Sequence, residues 1–310
     1  MTVPILFTFD DKLIMPACVC ITSLLENALP ETFHDIFIIH SDRFDFSSSP
    51  LTEIPRCYSN CRITFKPISG EFVGGYEIRG IPETCYYRLI SPEIITEYDK
   101  ILYSDIDVIF RSDLSEYYNI DLGDNCFAGV DNGSAYRPDV QEYISKKLGI
   151  DPRNGYYYSG NLIINLKTLR EEKFCQQFRE LGKNDYNQQD MDIMNIACNG
   201  RFLPLSPAFC LTIQLYHNIV NRREVVRQFF SDEELDKALA HGIIHYNGAK
   251  PWQTWTHHFD FWWHYYRKSV VYDEKFYYDF YNDKSDELDK LPLAKRIKVL
   301  LRFFLVGRKK

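Results

Sequence analysis

No apolar run in this chain of 310 residues approaches the roughly 18 to 20 residues that a helix needs to cross a bilayer. The opening, Met1-Thr-Val-Pro-Ile-Leu-Phe-Thr-Phe-Asp10, lacks the basic start of a secretory leader and meets acids at once, so the expected body is cytoplasmic. A Gly-x-x-x-x-Gly-Lys-Ser/Thr phosphate loop is missing, as is any further acid-rich metal cluster, which argues against a metal-dependent phosphoryl-transfer enzyme. The nine cysteines, at 18, 20, 57, 61, 85, 126, 175, 198 and 210, are odd in number and mostly embedded in apolar stretches. They point to a reducing compartment rather than a disulfide framework. Cys57 and Cys61 are spaced like half of a zinc site, but no second pair follows them, so structural thiols are expected.

Acid is also lacking in one place. Residues 291 to 310 hold seven Lys or Arg and no Asp or Glu, so with a formal charge of −7 overall, residues 1 to 290 carry −14. A body that acidic excludes broad nucleic-acid binding. In the tail, Leu293, Ile297, Leu300, Leu301, Phe304 and Leu305 recur at three- and four-residue steps. Lys295, Arg296, Lys298 and Arg302 sit beside them, and Phe303 and Val306 broaden the apolar face. This pattern predicts a basic amphipathic helix on an anionic membrane surface, peripheral on its inner face.

Short apolar runs alternate with helical patterns: Pro4 to Phe9, Ile36 to His40, Arg62 to Ile68, Ile101 to Phe110, Cys126 to Val130, Tyr158 to Leu166, Phe202 to Leu205 and Ile243 to Tyr246. The alternation predicts an α/β fold with a mostly parallel central sheet flanked by helices. The first run leads through Asp10 and Asp11 into a helical segment, Met15 to Ala28, and so delivers two acids to the carboxyl edge where open α/β sheets bind ligands. Ser231-Asp-Glu-Glu234 is a capping box for a helix to about Ala240. Residues 131 to 154, rich in Gly, Pro and Asn, predict a loop-rich insertion around a short helix. The expected organisation is a domain over residues 1–250, an aromatic extension over 251–290 and the basic tail over 291–310.

Lys100-Ile-Leu-Tyr-Ser-Asp-Ile-Asp-Val-Ile-Phe110 carries two aspartates inside an apolar, β-branched run. Read as one strand, it places Asp105 and Asp107 on the same face. Like charges held that close repel, so the arrangement asks for a cation, and hard oxygen ligands suit Mn²⁺ or Mg²⁺ gripping a diphosphate. An isolated Asp-x-Asp more commonly caps a turn, and a lone strand-end histidine is more commonly structural. Yet His245-Tyr-Asn-Gly-Ala-Lys-Pro-Trp252 follows a short apolar strand and completes an Asp, Asp, His set, with Gly248 and Lys250 suited to a phosphate.

With these pieces the chain resembles the family 8 glycosyltransferases, retaining nucleotide-sugar enzymes. The matching segments stand in the family's order: Phe7-Thr-Phe-Asp-Asp11, Tyr86-Tyr-Arg-Leu89, Lys100 to Phe110, Tyr157-Tyr-Ser-Gly-Asn-Leu-Ile-Ile-Asn-Leu166, Gln189-Asp-Met-Asp-Ile-Met-Asn195 and His245 to Trp252. The resemblance implies a GT-A nucleotide-sugar-binding fold and an Mn²⁺- or Mg²⁺-dependent transfer of a hexose, galactose or glucose, from a UDP-sugar. The acceptor would be a saccharide or glycolipid, as in lipopolysaccharide or capsule synthesis. It further implies that Thr8, Phe9, Asp10, Asp11, Arg88, Asp105, Ile106, Gly248 and Lys250 bind the donor and that Asp105, Asp107 and His245 hold the metal. Asp190 and Lys250 would act in catalysis, on the sugar hydroxyls and the leaving diphosphate.

Two departures stand out. Tyr158 replaces an amide, and Met191 replaces a glutamine that many relatives place beneath the anomeric carbon. These open a second reading, a degenerate member that binds nucleotide or glycan without turnover. Acceptor recognition is expected in 131–154 and in Gln214 to Arg227, where Tyr216, His217, Asn218 and Arg222 are candidate contacts.

Overall fold

The computed structural model describes residues 1–70, 72 and 83–306, the last five as backbone. It divides into two compact units, Met1–Val270 and Val271–Lys310.

In the first unit a seven-stranded sheet runs β3 (Cys61–Ile68), β2 (Phe33–Ser41), β1 (Thr2–Thr8), β4 (Lys100–Ser104), β7 (Tyr157–Asn165), β6 (Phe127–Asp131) and β8 (Phe202–Pro204). The first four strands are mutually parallel, β7 is antiparallel to both β4 and β6, and β8 is parallel to β6. Strands β1 and β2 are buried along almost their whole length, which explains why they read as unbroken apolar runs. On one face, Leu6, Phe37, Ile101, Tyr103, Phe127 and Leu162 pack against Tyr86, Phe178, Ile193 and Met194. The Ile14–Glu26 helix is buried from Pro16 through Leu25, as its all-round apolar sequence requires. The capping box forms as read: Ser231 and Glu234 satisfy each other's backbone N–H at the start of the Asp232–His241 helix.

The run from 101 to 110 is not one strand. It breaks after Ser104 and resumes as β5 (Val108–Ile109) in a separate three-stranded sheet, β5–β10–β9, with β9 spanning Leu211–Thr212 and β10 Ile244–His245. The sequence pattern concealed the break because the residues on both sides are equally apolar and buried.

The boundary expected at 250 lies further on, because residues 251–270 belong to the first unit. Trp262 and Trp263 are completely buried, Trp262 stacks on Tyr266 at 5.4 Å, and the Trp263 indole donates to the Pro251 carbonyl at 3.1 Å. Asn27 also donates to the Tyr265 hydroxyl at 2.7 Å. Burial of two indole rings adds a large apolar area to the first unit's core.

The second unit contains the Glu274–Asp289 helix, capped by the Asp273 side chain on the Phe276 N–H, and the Leu293–Val306 helix. Residues 307–310 of the expected tail, and the side chains of Arg302, Phe303, Phe304, Leu305 and Val306, lie outside the described residues. No helix among the described residues is long and apolar enough to cross a membrane.

His34, on β2, is completely buried, and burial lowers its imidazole from the usual 6.5 to about 4. Between those values the unfolded chain binds a proton that the folded protein refuses, so stability falls as pH drops through this window. The loss should be up to about 1.4 kcal/mol per pH unit. Urea unfolding of His34→Gln across the window should show a correspondingly flatter dependence on pH, and an unchanged slope would exclude this origin.

Candidate functional site

The parallel pairing of β1 with β4 sets the carboxyl ends of these two strands side by side, with Leu6 opposite Tyr103. Beyond β4, the Asp105 N–H donates to the Gly160 carbonyl at 2.7 Å, and Asp107 then leads into the second sheet. There His245 pairs with Val108, and the Tyr246 N–H donates to the Asp107 carbonyl at 2.9 Å. Two residues far apart in sequence thus become neighbours. His245 Nε2 lies 3.3 Å from Asp107 and 3.6 Å from Asp105, and one ligand atom from each of the three side chains falls within 4.8 Å of the others.

Both carboxylates carry a counter-cation from the chain itself. Lys250 Nζ meets Asp107 and donates to the Tyr246 carbonyl at 2.7 Å. Arg88, 5% exposed, bridges Asp105 at 3.0 Å and Asp190 at 3.3 Å, lies 4.1 Å over the Tyr103 ring, and donates to the Ser159 carbonyl at 2.6 Å. Burial alone would raise the Asp107 carboxyl, but His245 and Lys250 hold it well below the usual range. Burial also works against charge on His245, and Asp107 overcomes it, raising the imidazole. At Asp190 burial prevails over the attraction of Arg88 and pushes the carboxyl up to about 6.

The donor set fits a divalent ion: two carboxylates and an imidazole converge, and Arg88, Tyr103 and Cys210 fix their orientations from outside. Tyr103 donates to Asp105 at 2.7 Å and meets the Thr8 hydroxyl at 3.2 Å, while the Cys210 thiol lies 3.5 Å from His245 Nδ1. Neither was among the expected site residues. Tyr103 precedes Asp105 by two positions in the same run, a spacing that marked it as a neighbour. No local pattern marks Cys210.

The remaining expected residues are placed less directly. Phe9 is buried with its ring edge-on to Phe46 at 5.5 Å, and Ile106 is buried. Asp10 accepts the Lys12 N–H at 3.1 Å and caps the turn that carries the exposed Asp11. Gly248 is exposed, and a Cβ there would meet only Ile213 at 3.8 Å, so packing within the described chain does not require glycine.

The two departures are accounted for in packing. Met191 lies in an apolar cluster with Val140, Ile144, Ile150 and Tyr156, and Tyr158 packs against that cluster. An amide at 191 would be buried among these groups. The neighbouring Asp192, fully buried, accepts the Tyr143 hydroxyl at 2.5 Å, the Tyr156 hydroxyl and the Gln188 N–H, and so ties the 131–154 insertion and the residues just after it to the Asp190–Ala197 helix. Asn195 completes the attachment through both Tyr157 backbone groups, at 2.8 and 2.9 Å.

Residues 4–256, enclosing every residue of this site, match the family model described as glycosyl transferase family 8. The chain belongs to that family. This family 8 chain is 27% identical over 214 residues to the probable glycosyl transferase Gly of Streptococcus gordonii, covering 66% of itself and 27% of that protein. Over 178 residues it is 25% identical to the lipopolysaccharide 1,2-glucosyltransferase of Escherichia coli, covering 55% of itself and 49% of that protein. The chain therefore spans half or less of the length of these two relatives. Its structure superposes on the galactosyltransferase LgtC, solved with donor and acceptor sugar analogues, with a TM-score of 0.70 and 25% identity, covering 88% of this chain and 98% of that one. The fold is GT-A, as the sequence implied.

Proposed function

We propose that this family 8 chain is a retaining glycosyltransferase that moves a hexose, galactose or glucose, from a UDP-sugar to a saccharide or glycolipid acceptor in lipopolysaccharide or capsule synthesis. The observation that carries this reading is the convergence of Asp105, Asp107 and His245, with Lys250 beside them. Those three side chains would hold Mn²⁺, or Mg²⁺, which when bound supplies positive charge against the departing diphosphate. Lys250 adds a second positive charge on the same side, and Gly248 leaves the backbone open to a phosphate.

Arg88 holds Asp105 and Asp190 apart in fixed orientations, so it acts as a positioning residue. Asp190 then faces the sugar, orienting its hydroxyls and stabilising positive charge on the ring. In a retaining reaction the acceptor oxygen enters on the face that UDP leaves, and a phosphate oxygen takes its proton. No side-chain base is needed.

Incubation with Mn²⁺ and a panel of UDP- and other nucleotide-sugars tests the reading. Metal-dependent nucleotide release with one donor supports it, and binding without release under all conditions would leave the degenerate, binding-only alternative. For Asp190→Asn, kcat should fall about 10²-fold, near 2.7 kcal/mol in the barrier, while UDP affinity changes little. Parallel loss of UDP binding and turnover would move Asp190 away from the sugar.

The tail belongs to the same proposal. In the Leu293–Val306 helix, Leu293, Ile297, Leu300 and Leu301 are all exposed, from 47% to 71%. With basic residues beside them, these apolar side chains suit an anionic membrane surface, which supports a peripheral position on the cytoplasmic face. Deletion of residues 291–310 should abolish sedimentation with anionic vesicles at low salt and spare turnover of a soluble acceptor. Retained vesicle binding, or unfolding of the deleted protein, would count against this role.

A further inference from the structure

A cavity of about 260 Å³ lies between the 131–154 insertion and the Ile213–Asn221 helix, lined among others by Tyr136, Arg137, Asp139, Gln214, Asn218 and Arg222. The two segments in which acceptor contacts were expected therefore face a common space. Its electrostatics are unusual for so acidic a body. Arg137 is tied to Asn132 at 3.1 Å and to Asp139 at 2.7 Å, which offsets its charge. Arg222 is exposed, and its guanidinium makes no ion pair among the described residues. Its neighbours differ. Arg223 pairs with Asp232 at 2.9 Å and Asp236 at 2.7 Å, and Arg227 with Asp232 at 2.6 Å. With two arginines and one aspartate, the lining keeps a net positive charge.

The other linings suit a sugar. Gln214 donates to Asn218 at 3.2 Å, and the buried Asn218 amide sits in the cavity wall. Tyr136 also lines a second cavity, of about 420 Å³, where its ring lies 5.4 Å from that of Phe229 and where Phe230 and Tyr157 add aromatic surface. Amides for hydroxyls, rings for the apolar faces of pyranoses and a guanidinium for a carboxylate or phosphate form a set that recognises an acidic glycan.

The path back to the metal cluster runs through Thr212. Thr212, which caps the cavity-lining helix, pairs with His245 across β9 and β10 and donates to the Tyr158 hydroxyl at 3.3 Å. From Thr212 the helix rises about 9 Å to Asn218 and about 15 Å to Arg222. A ligand reaching from the metal cluster to Arg222 is longer than one sugar ring.

We infer that this cavity anchors the acceptor, and that the acceptor is an acidic oligosaccharide whose carboxylate or phosphate lies between Arg137 and Arg222. The inference rests on the glycosyltransferase reading, but its test does not require turnover. Calorimetry on the full chain would compare cellobiouronic acid with cellobiose, and glucose 6-phosphate with glucose, for wild type, Arg222→Ala and Arg222→Lys. One charge-assisted contact predicts about tenfold tighter binding of the acidic member in at least one pair. The pair that shows the preference tells carboxylate from phosphate. Arg222→Ala should bring that ratio close to one while neutral-sugar affinity stays put, and Arg222→Lys should keep part of it. Equal affinities within both pairs for wild type, or a preference surviving in Arg222→Ala, overturns the inference. UDP release by wild type without acceptor reports the donor site separately, so an inactive protein that still prefers acidic sugars would fail the proposed function and leave the cavity standing as an acidic-sugar site.

Discussion

Asp107→Asn and His245→Ala are each expected to lower metal-dependent UDP-sugar turnover by at least about 10³-fold, because each removes a ligand from a three-residue set. The effects on folding should differ from what repulsion between Asp105 and Asp107 alone would suggest. Asp107 is not an uncompensated charge, since Lys250 and His245 meet it. Its folded carboxyl is held below the usual range, so it contributes stability above the unfolded value of about 3.8 that is lost as pH falls through the folded one. Asp107→Asn should therefore destabilise the metal-free protein at neutral pH by about 1–3 kcal/mol rather than tighten it. Kinetics over a Mn²⁺ titration, with urea unfolding in chelator, measures both parts. Near-wild-type turnover with a matched metal response in either variant would sink the ligand assignment.

Gly160→Ala should be nearly as damaging without removing any functional group. A Cβ built there lies 2.2 Å from His245 Cε1, 2.9 Å from His245 Nδ1 and 2.8 Å from Asp105 Oδ2. The His245 side chain is only 6% exposed, with Cys210 3.5 Å from its Nδ1 and Asp107 3.3 Å from its Nε2, so it has little room to retreat. Overpacking of this kind costs about 1–3 kcal/mol, and here the displaced groups are the proposed ligands themselves. Gly129→Ala, which meets Leu162 at 3.1 Å away from the cluster, is the control. Both variants should lose stability, but only Gly160→Ala should lose Mn²⁺ affinity and turnover, by about 10²-fold or more if the ligands shift by an ångström. Wild-type Mn²⁺ affinity in Gly160→Ala would show that the clash is relieved elsewhere.

The β-branched runs, the capping box at Ser231 and the acids after β1 were legible because each is a local signal, decided within a few residues by periodicity or by a side chain reaching its own backbone. The Asp-x-Asp was legible for a different reason: two charges in an apolar run are costly enough to stand out. Its geometry was not. The break after Ser104 depends on the Asp105 N–H finding Gly160 and on β5 finding β10, both pairings to distant segments. Met191 shows the same limit, since the apolar cluster that houses it is assembled from the insertion and from β7.

By itself the sequence determined the alternating α/β plan and, from residue type and local context, the candidacy of Asp105, Asp107, His245 and Lys250, while Asp190 followed from the family resemblance alone. Only the tertiary structure decided that Arg88 bridges the two acids beside it, that Lys250 rests on Asp107, that Trp262 and Trp263 are core, and that Arg222 and Arg137 share a cavity. Each of these brings together residues remote in the chain. The ion pairs rest on an attraction that offsets the cost of desolvation and the tryptophans on burial of apolar area, neither of which a local pattern encodes.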